Sequence, residues 1–222
     1  MRKITFSIII LFPIHLSMLS AQKENGAYLS KYSYKQNSPE YNADFFGIKQ
    51  RTKTNIAMVG GNDYKVECLG KDVSKKTIKN DIWAVVKNDT LYLNALPITG
   101  LMGYAKAEVA GRYCALKVAI PNKAKYIKEL SSNDVGNVST VAILGGPIIG
   151  GIAGASQALK RILIVYDTET GARELLNLNS ITKLLTPYDD LKEQFSFEVK
   201  KEDEEILLKY LILINEKEVF LE

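Results

Sequence analysis

Along residues 43–120 the apolar positions come in short runs, rich in branched and aromatic side chains and broken by clusters of Gly, Asn and Asp. That rhythm belongs to strands joined by hairpins. It predicts strands over Phe45–Lys53, Asn55–Val59, Tyr64–Leu69, Ile82–Lys87, Thr90–Ala95 and Tyr113–Ile120, the last stopped by Pro121. The cluster Gly60-Gly61-Asn62-Asp63 reads as a tight reversal, its glycines supplying positive φ. Asn88-Asp89 reads as a two-residue hairpin turn, since both residue types tolerate left-handed backbone. Further on, Arg161–Asp167 and Ala172–Leu178 flank Thr168-Glu169-Thr170-Gly171 as another hairpin.

The period then changes. Thr186-Pro187-Tyr188-Asp189 sets a capping threonine before a first-turn proline, and Leu191 and Phe195 continue one helical face. Glu202–Glu205 place negative charge where a second helix begins, which its dipole favours. Ile206, Leu207, Tyr210, Leu211 and Ile214 follow at helical spacing. Strands first and helices last predict an α+β fold: a twisted antiparallel sheet or partly closed β-barrel, with C-terminal helices and a Gly-rich apolar segment. The expected organisation is a signal peptide at residues 1–21 and a single α+β domain over 22–222, β-rich across 43–178 and helical across 180–215.

The first residues stand apart. Arg2 and Lys3 precede an uncharged, mostly apolar run from Ile4 to Leu19, closed by Ser20-Ala21. A charged start, an apolar middle and a small-residue exit make a secretory signal. The run falls short of the ~20 apolar residues of a membrane span. The expected mature start is Gln22, and the expected location is outside the cytoplasm, in the periplasm or cell envelope.

Charge and composition narrow the chemistry. The whole chain carries 29 basic and 25 acidic side chains, a net charge of +4. Loss of Arg2 and Lys3 leaves 27 against 25, or +2. With lysines scattered among acids, this does not predict a nucleic-acid binder. The single histidine, His15, lies within the leader. A mature chain without histidine has no Ser-His-Asp or Cys-His catalysis and no His-containing metal site. No cofactor and no metal are expected, and the protein reads as a non-enzyme.

Four features carry candidate function. Val135–Leu159 contains no charged residue, and within it Gly146, Gly150 and Gly154 stand four apart, so they share one face of a helix. The preferred reading of Val141–Ala155 is a glycine-rich helix or loop packed under the sheet. The alternative is peripheral membrane contact or oligomer formation through those three glycines. Cys68 and Cys114 fall on expected strands and read as free thiols, although an oxidising compartment would permit a bridge. Asp189-Asp190 and Glu202–Glu205 are the densest carboxylates, and both stand at helix starts rather than facing each other across a cleft. Tyr28, Tyr32, Tyr34 and Tyr41 crowd the mature N-terminus, as packed strand residues or as a binding surface for a ligand.

The stretches Arg51-Thr52, Met58–Lys65, Ile82–Val85, Asp89–Asn94, Lys160-Arg161, Tyr166–Gly171 and Ile206–Asn215 together resemble a group of exported proteins of unknown function from Bacteroides-type bacteria. The resemblance implies export by a Gram-negative cell and one contiguous domain. It implies no catalytic residues. The function expected is that of a non-enzymatic envelope module that binds a small ligand or an envelope protein. The alternative is a membrane-associated or oligomeric envelope protein acting through 141–155.

Overall fold

The computed structural model describes residues 23–119 and 159–219. Ten strands form one antiparallel sheet: β1 (Gly26–Tyr28), β2 (Tyr41–Asn42), β3 (Phe46–Gln50), β4 (Tyr64–Cys68), β5 (Ala84–Lys87), β6 (Thr90–Asn94), β7 (Tyr104–Val109), β8 (Tyr113–Ala119), β9 (Arg161–Asp167) and β10 (Arg173–Leu175). The main path runs β10-β9-β8-β7-β6-β5-β1-β2, with β3 paired to β4 and β4 to β7. Short helices punctuate it: α1 (Lys31–Lys35), α2 (Lys53–Val59), α3 (Lys75–Asn80) and α4 (Leu96–Thr99). Three more close the chain, α5 (Leu178–Leu184), α6 (Asp189–Ser196) and α7 (Glu204–Val219). The expected α+β class, antiparallel sheet and C-terminal helices are all present. Of the two sheet forms expected, the barrel is not reached: the sheet does not close.

Alternation along the strands divides the interior into three clusters. Tyr28, Ala84, Val86, Leu91, Leu93, Ala105, Cys114, Leu116, Val118, Ile164 and Tyr166 meet on one face of the sheet. The other face is covered in two places. Near β3, β4 and α3 it holds Ala27, Phe46, Val66, Ile78, Val85 and Tyr104. Under α5–α7 it holds Ala115, Val165, Ile181, Leu185, Leu191, Phe195, Tyr210, Leu211 and Ile214. A bulge decides one residue's side. Ala107 faces Leu116 but Val109 faces Ala115, so one extra residue flips Val109 onto the helix side.

Several local expectations hold. Asn88 and Asp89 both take positive φ, 51° and 59°, between β5 and β6. The final helix buries Leu207, Tyr210, Leu211 and Ile214 as spaced. Others need correction. Asn55–Val59 is helix α2 rather than a strand, because Thr52 accepts a hydrogen bond from the Asn55 N–H and starts a helical turn. Phe45–Lys53 is correspondingly shorter, ending at Gln50. Thr186 caps nothing: its hydroxyl donates to the Thr182 carbonyl at the end of α5, and Tyr188 precedes α6 without a side-chain cap. Helix α5 itself begins at Asn177, which shares a reciprocal pair of cap hydrogen bonds with Ser180, so the strand expected over Ala172–Leu178 stops at Leu175. The Gly-rich segment, with Gly146, Gly150 and Gly154, lies outside the described residues. So do the expected signal peptide, residues 1–21, and His15.

Candidate functional site

The most elaborate polar construction stands where the sheet forks. Tyr104, at the start of β7, pairs with Asn94 of β6 on one side and Tyr64 of β4 on the other. Beyond it the same edge of β7 passes to β8. Asn62 fills the fork and is completely buried. Its Oδ1 accepts from the Ala119 N–H at 2.8 Å, where the ladder of β8 ends. Its Nδ2 donates to the Leu101 and Met102 carbonyls at 3.2 and 3.4 Å. Its own N–H donates to the Met102 carbonyl at 2.9 Å. Gly61 is required beside it: φ is +91°, and a Cβ there would lie 2.6 Å from the Met102 oxygen.

Two guanidiniums brace the same turn. Arg161, at the start of β9, holds Asp63 through Nε at 2.8 Å and Nη2 at 2.5 Å, and also reaches the Gly61 carbonyl. Arg51 donates to the Asn62 carbonyl and to Asn55. Burial, and then the neighbouring charge of Arg161, lower the Arg51 guanidinium from its ordinary value. Beside this fixed frame three apolar side chains are exposed. Met58 is 81% exposed, Val59 63% and Met102 49%. Ala119 and Arg161 are register partners. Ala119 and Arg161 thus both stand at this end of the sheet.

A second cluster ties the helices to the opposite end of β8. Arg112 makes ion pairs with Glu218 of α7, Glu169 at 3.2 Å and Asp167 at 3.9 Å. Tyr188 donates to Glu218 as well, and burial followed by that bond raises its hydroxyl pKa. Beside them Asn215 clasps the backbone of Tyr113, accepting from its N–H and donating to its carbonyl, each at 2.9 Å. Here the carboxylates surround a fixed cation. The arrangement fastens α7 to the β7–β8 and β9–β10 turns.

The other features singled out in the sequence take these places where they are described. Asp189 and Asp190 occupy the first turn of α6, and Asp190 pairs with Lys217 at 2.8 Å. Glu204 and Glu205 open α7, with Glu204 paired to Lys117. Cys68 and Cys114 are free thiols in different clusters. Burial pushes the Cys114 thiol up to about 12, which leaves it protonated and unreactive. Tyr28 and Tyr34 are buried and stack edge-on at 5.3 Å, while Tyr32 is exposed. No group of His, Cys, Asp and Glu among the described residues could hold a metal ion. The fork and the Arg112 cluster were not picked out from the sequence. Asn62 sits in a turn, and nothing in its neighbours says that the turn is buried.

These features define an α+β domain with an open antiparallel sheet, a buried polar brace at one end and helices fastened at the other. Residues 26–218 match the model of a family of unknown function, DUF6563, and the chain belongs to that family. No curated protein and no solved structure matches it.

Proposed function

We propose that the protein is an exported, non-enzymatic module of a Gram-negative cell envelope that works by binding through the forked end of its sheet. One observation carries this reading: Met58 and Val59 at the end of α2, and Met102 in the α4–β7 loop, are exposed to solvent beside a turn that buried Asn62 and the Arg161–Asp63 pair hold in place. Exposed methionines adapt to varied partners, and a fixed frame lowers the ordering cost of binding. A non-enzymatic role is supported by the chemistry at the fork, where Asp63 is committed to Arg161.

Export is tested on protein recovered from the cell that makes it. Intact mass is expected to begin the chain at Gln22, with the protein in the envelope fraction after gentle lysis. A mass retaining Met1–Ala21, together with a cytoplasmic pool, would overturn the reading.

A further inference from the structure

Among the described residues, strand β3 pairs with β4 alone, and it has five residues against two for β2 and three for β10, the other outer strands. Its hydrogen bonds alternate in direction. The Phe45 carbonyl accepts from the Leu69 N–H and the Arg51 N–H donates to the Asp63 carbonyl, so the odd-numbered residues between them bond to β4. Phe46, Ile48 and Gln50 therefore turn their N–H and C=O groups outward. Phe46 is satisfied within the chain: its N–H donates to the Ala43 carbonyl, and its own carbonyl accepts from Lys87 at 2.5 Å. The outward groups of Ile48 and Gln50 have no hydrogen-bond partner among the described residues. Ile48 is half-buried and Gln50 exposed. An edge left unpaired in this way is a template for a further strand. It ends at the fork, where Gln50 pairs with Tyr64 and Tyr64 with Tyr104.

We propose that β3 accepts an extended segment of a partner protein as an added antiparallel strand, with a carboxylate side chain of that segment opposite Lys49. The inference rests on the binding reading above and names the kind of partner. Ile48 and Gln50 then each exchange a pair of backbone hydrogen bonds with the added strand, and the residue between lies directly across from Lys49. Charge selects that residue. Lys49 and Lys65 share the carboxylate of Glu67, each at 2.6 Å, which leaves one positive charge over on this face. Residues 45–62 add Arg51 and Lys53 and no acid. The same charge argues against a second copy of this chain. Two β3 strands joined antiparallel through all of these groups would set one Lys49 directly against the other. Registers that avoid this draw on Phe46, whose groups are already used, or run past the end of the strand.

The probe is the acetylated, amidated peptide Thr-Val-Glu-Val-Thr, set against the same peptide with Lys at its centre, each titrated into the full exported chain and followed by NMR. The Glu peptide should move the amide protons of Ile48 and Gln50 downfield and slow their exchange. Those of Gly47 and Lys49, already bonded to β4, should change little. The Lys peptide should bind roughly tenfold more weakly, and Lys49→Glu should reverse the preference. Gln50→Pro removes an outward N–H and no bond to β4, so it should bind the Glu peptide roughly tenfold more weakly with its unfolding midpoint unchanged. If Gln50→Pro fails to fold, Lys49→Glu decides the matter. Absence of binding, equal binding of the two peptides, or shifts at Gly47 and Lys49 in place of Ile48 and Gln50 would overturn the added strand. A dimer that Gln50→Pro dissociates would overturn it in favour of a second copy. Photo-cross-linked adducts at Met58 in the producing cell, without peptide binding, would overturn the added strand and leave the binding reading intact. Peptide binding at β3 with no adduct at Met58 would do the reverse.

Discussion

Replacing Asn62 with alanine is expected to lower the unfolding free energy by about 3 kcal/mol, a shift of roughly 6–12 °C in Tm for a domain of this size. The amide is fully buried, and its removal takes a side-chain hydrogen bond from three partners, of which Met102 keeps the N–H of residue 62. The Ala119 N–H loses its acceptor, and the Leu101 and Met102 carbonyls lose the side-chain donor. Asn62→Asp keeps an acceptor for Ala119 but turns a carboxylate oxygen toward two carbonyls, so it should be at least as damaging. Thermal and denaturant unfolding of both variants measure this. A loss under about 1 kcal/mol for Asn62→Ala would show that water replaces the brace and that the fork is not rigid.

Gly111→Ala should cost about 2–4 kcal/mol through a different contact. A Cβ on Gly111 would lie 2.5 Å from Cγ of Asn215, the residue that clasps the backbone of Tyr113. The amide must move, and both of its hydrogen bonds break in a partly buried place. Because Asn215→Ala removes the same two bonds, the double variant should lose less than the sum of the singles. Additive losses, measured by denaturant unfolding, would separate the two residues and contradict the clasp.

What the sequence made legible is local. The hairpin at Asn88-Asp89 could be read because those residues supply the positive φ themselves. The last helix could be read because its apolar spacing and its acidic start agree. Failures came where two local signals compete or none is present. Asn55–Val59 offers only Ile56 to the core, too little to tell a strand from a helical turn, and Thr52 decided for the helix. Strand β7 was not predicted. Its sequence, Tyr-Ala-Lys-Ala-Glu-Val, has few branched residues, and it is held by β6, β4 and β8 rather than by its own propensity. The candidate site was the least legible part. Asn62 reads as one more turn residue, and Arg112 as a surface cation. Their partners, Ala119 and Glu218, lie far along the chain and meet them only in the folded sheet.

The claim that matters most is that the forked end is the working surface. Photo-cross-linking in the producing cell tests it directly, with the reactive side chain placed at Met58 in one protein and at Lys192 on helix α6 in another. Both positions are exposed, so neither placement should disturb the fold. The account predicts adducts from Met58 and none above background from Lys192. Adducts from Lys192 alone, or equally from both, would contradict it.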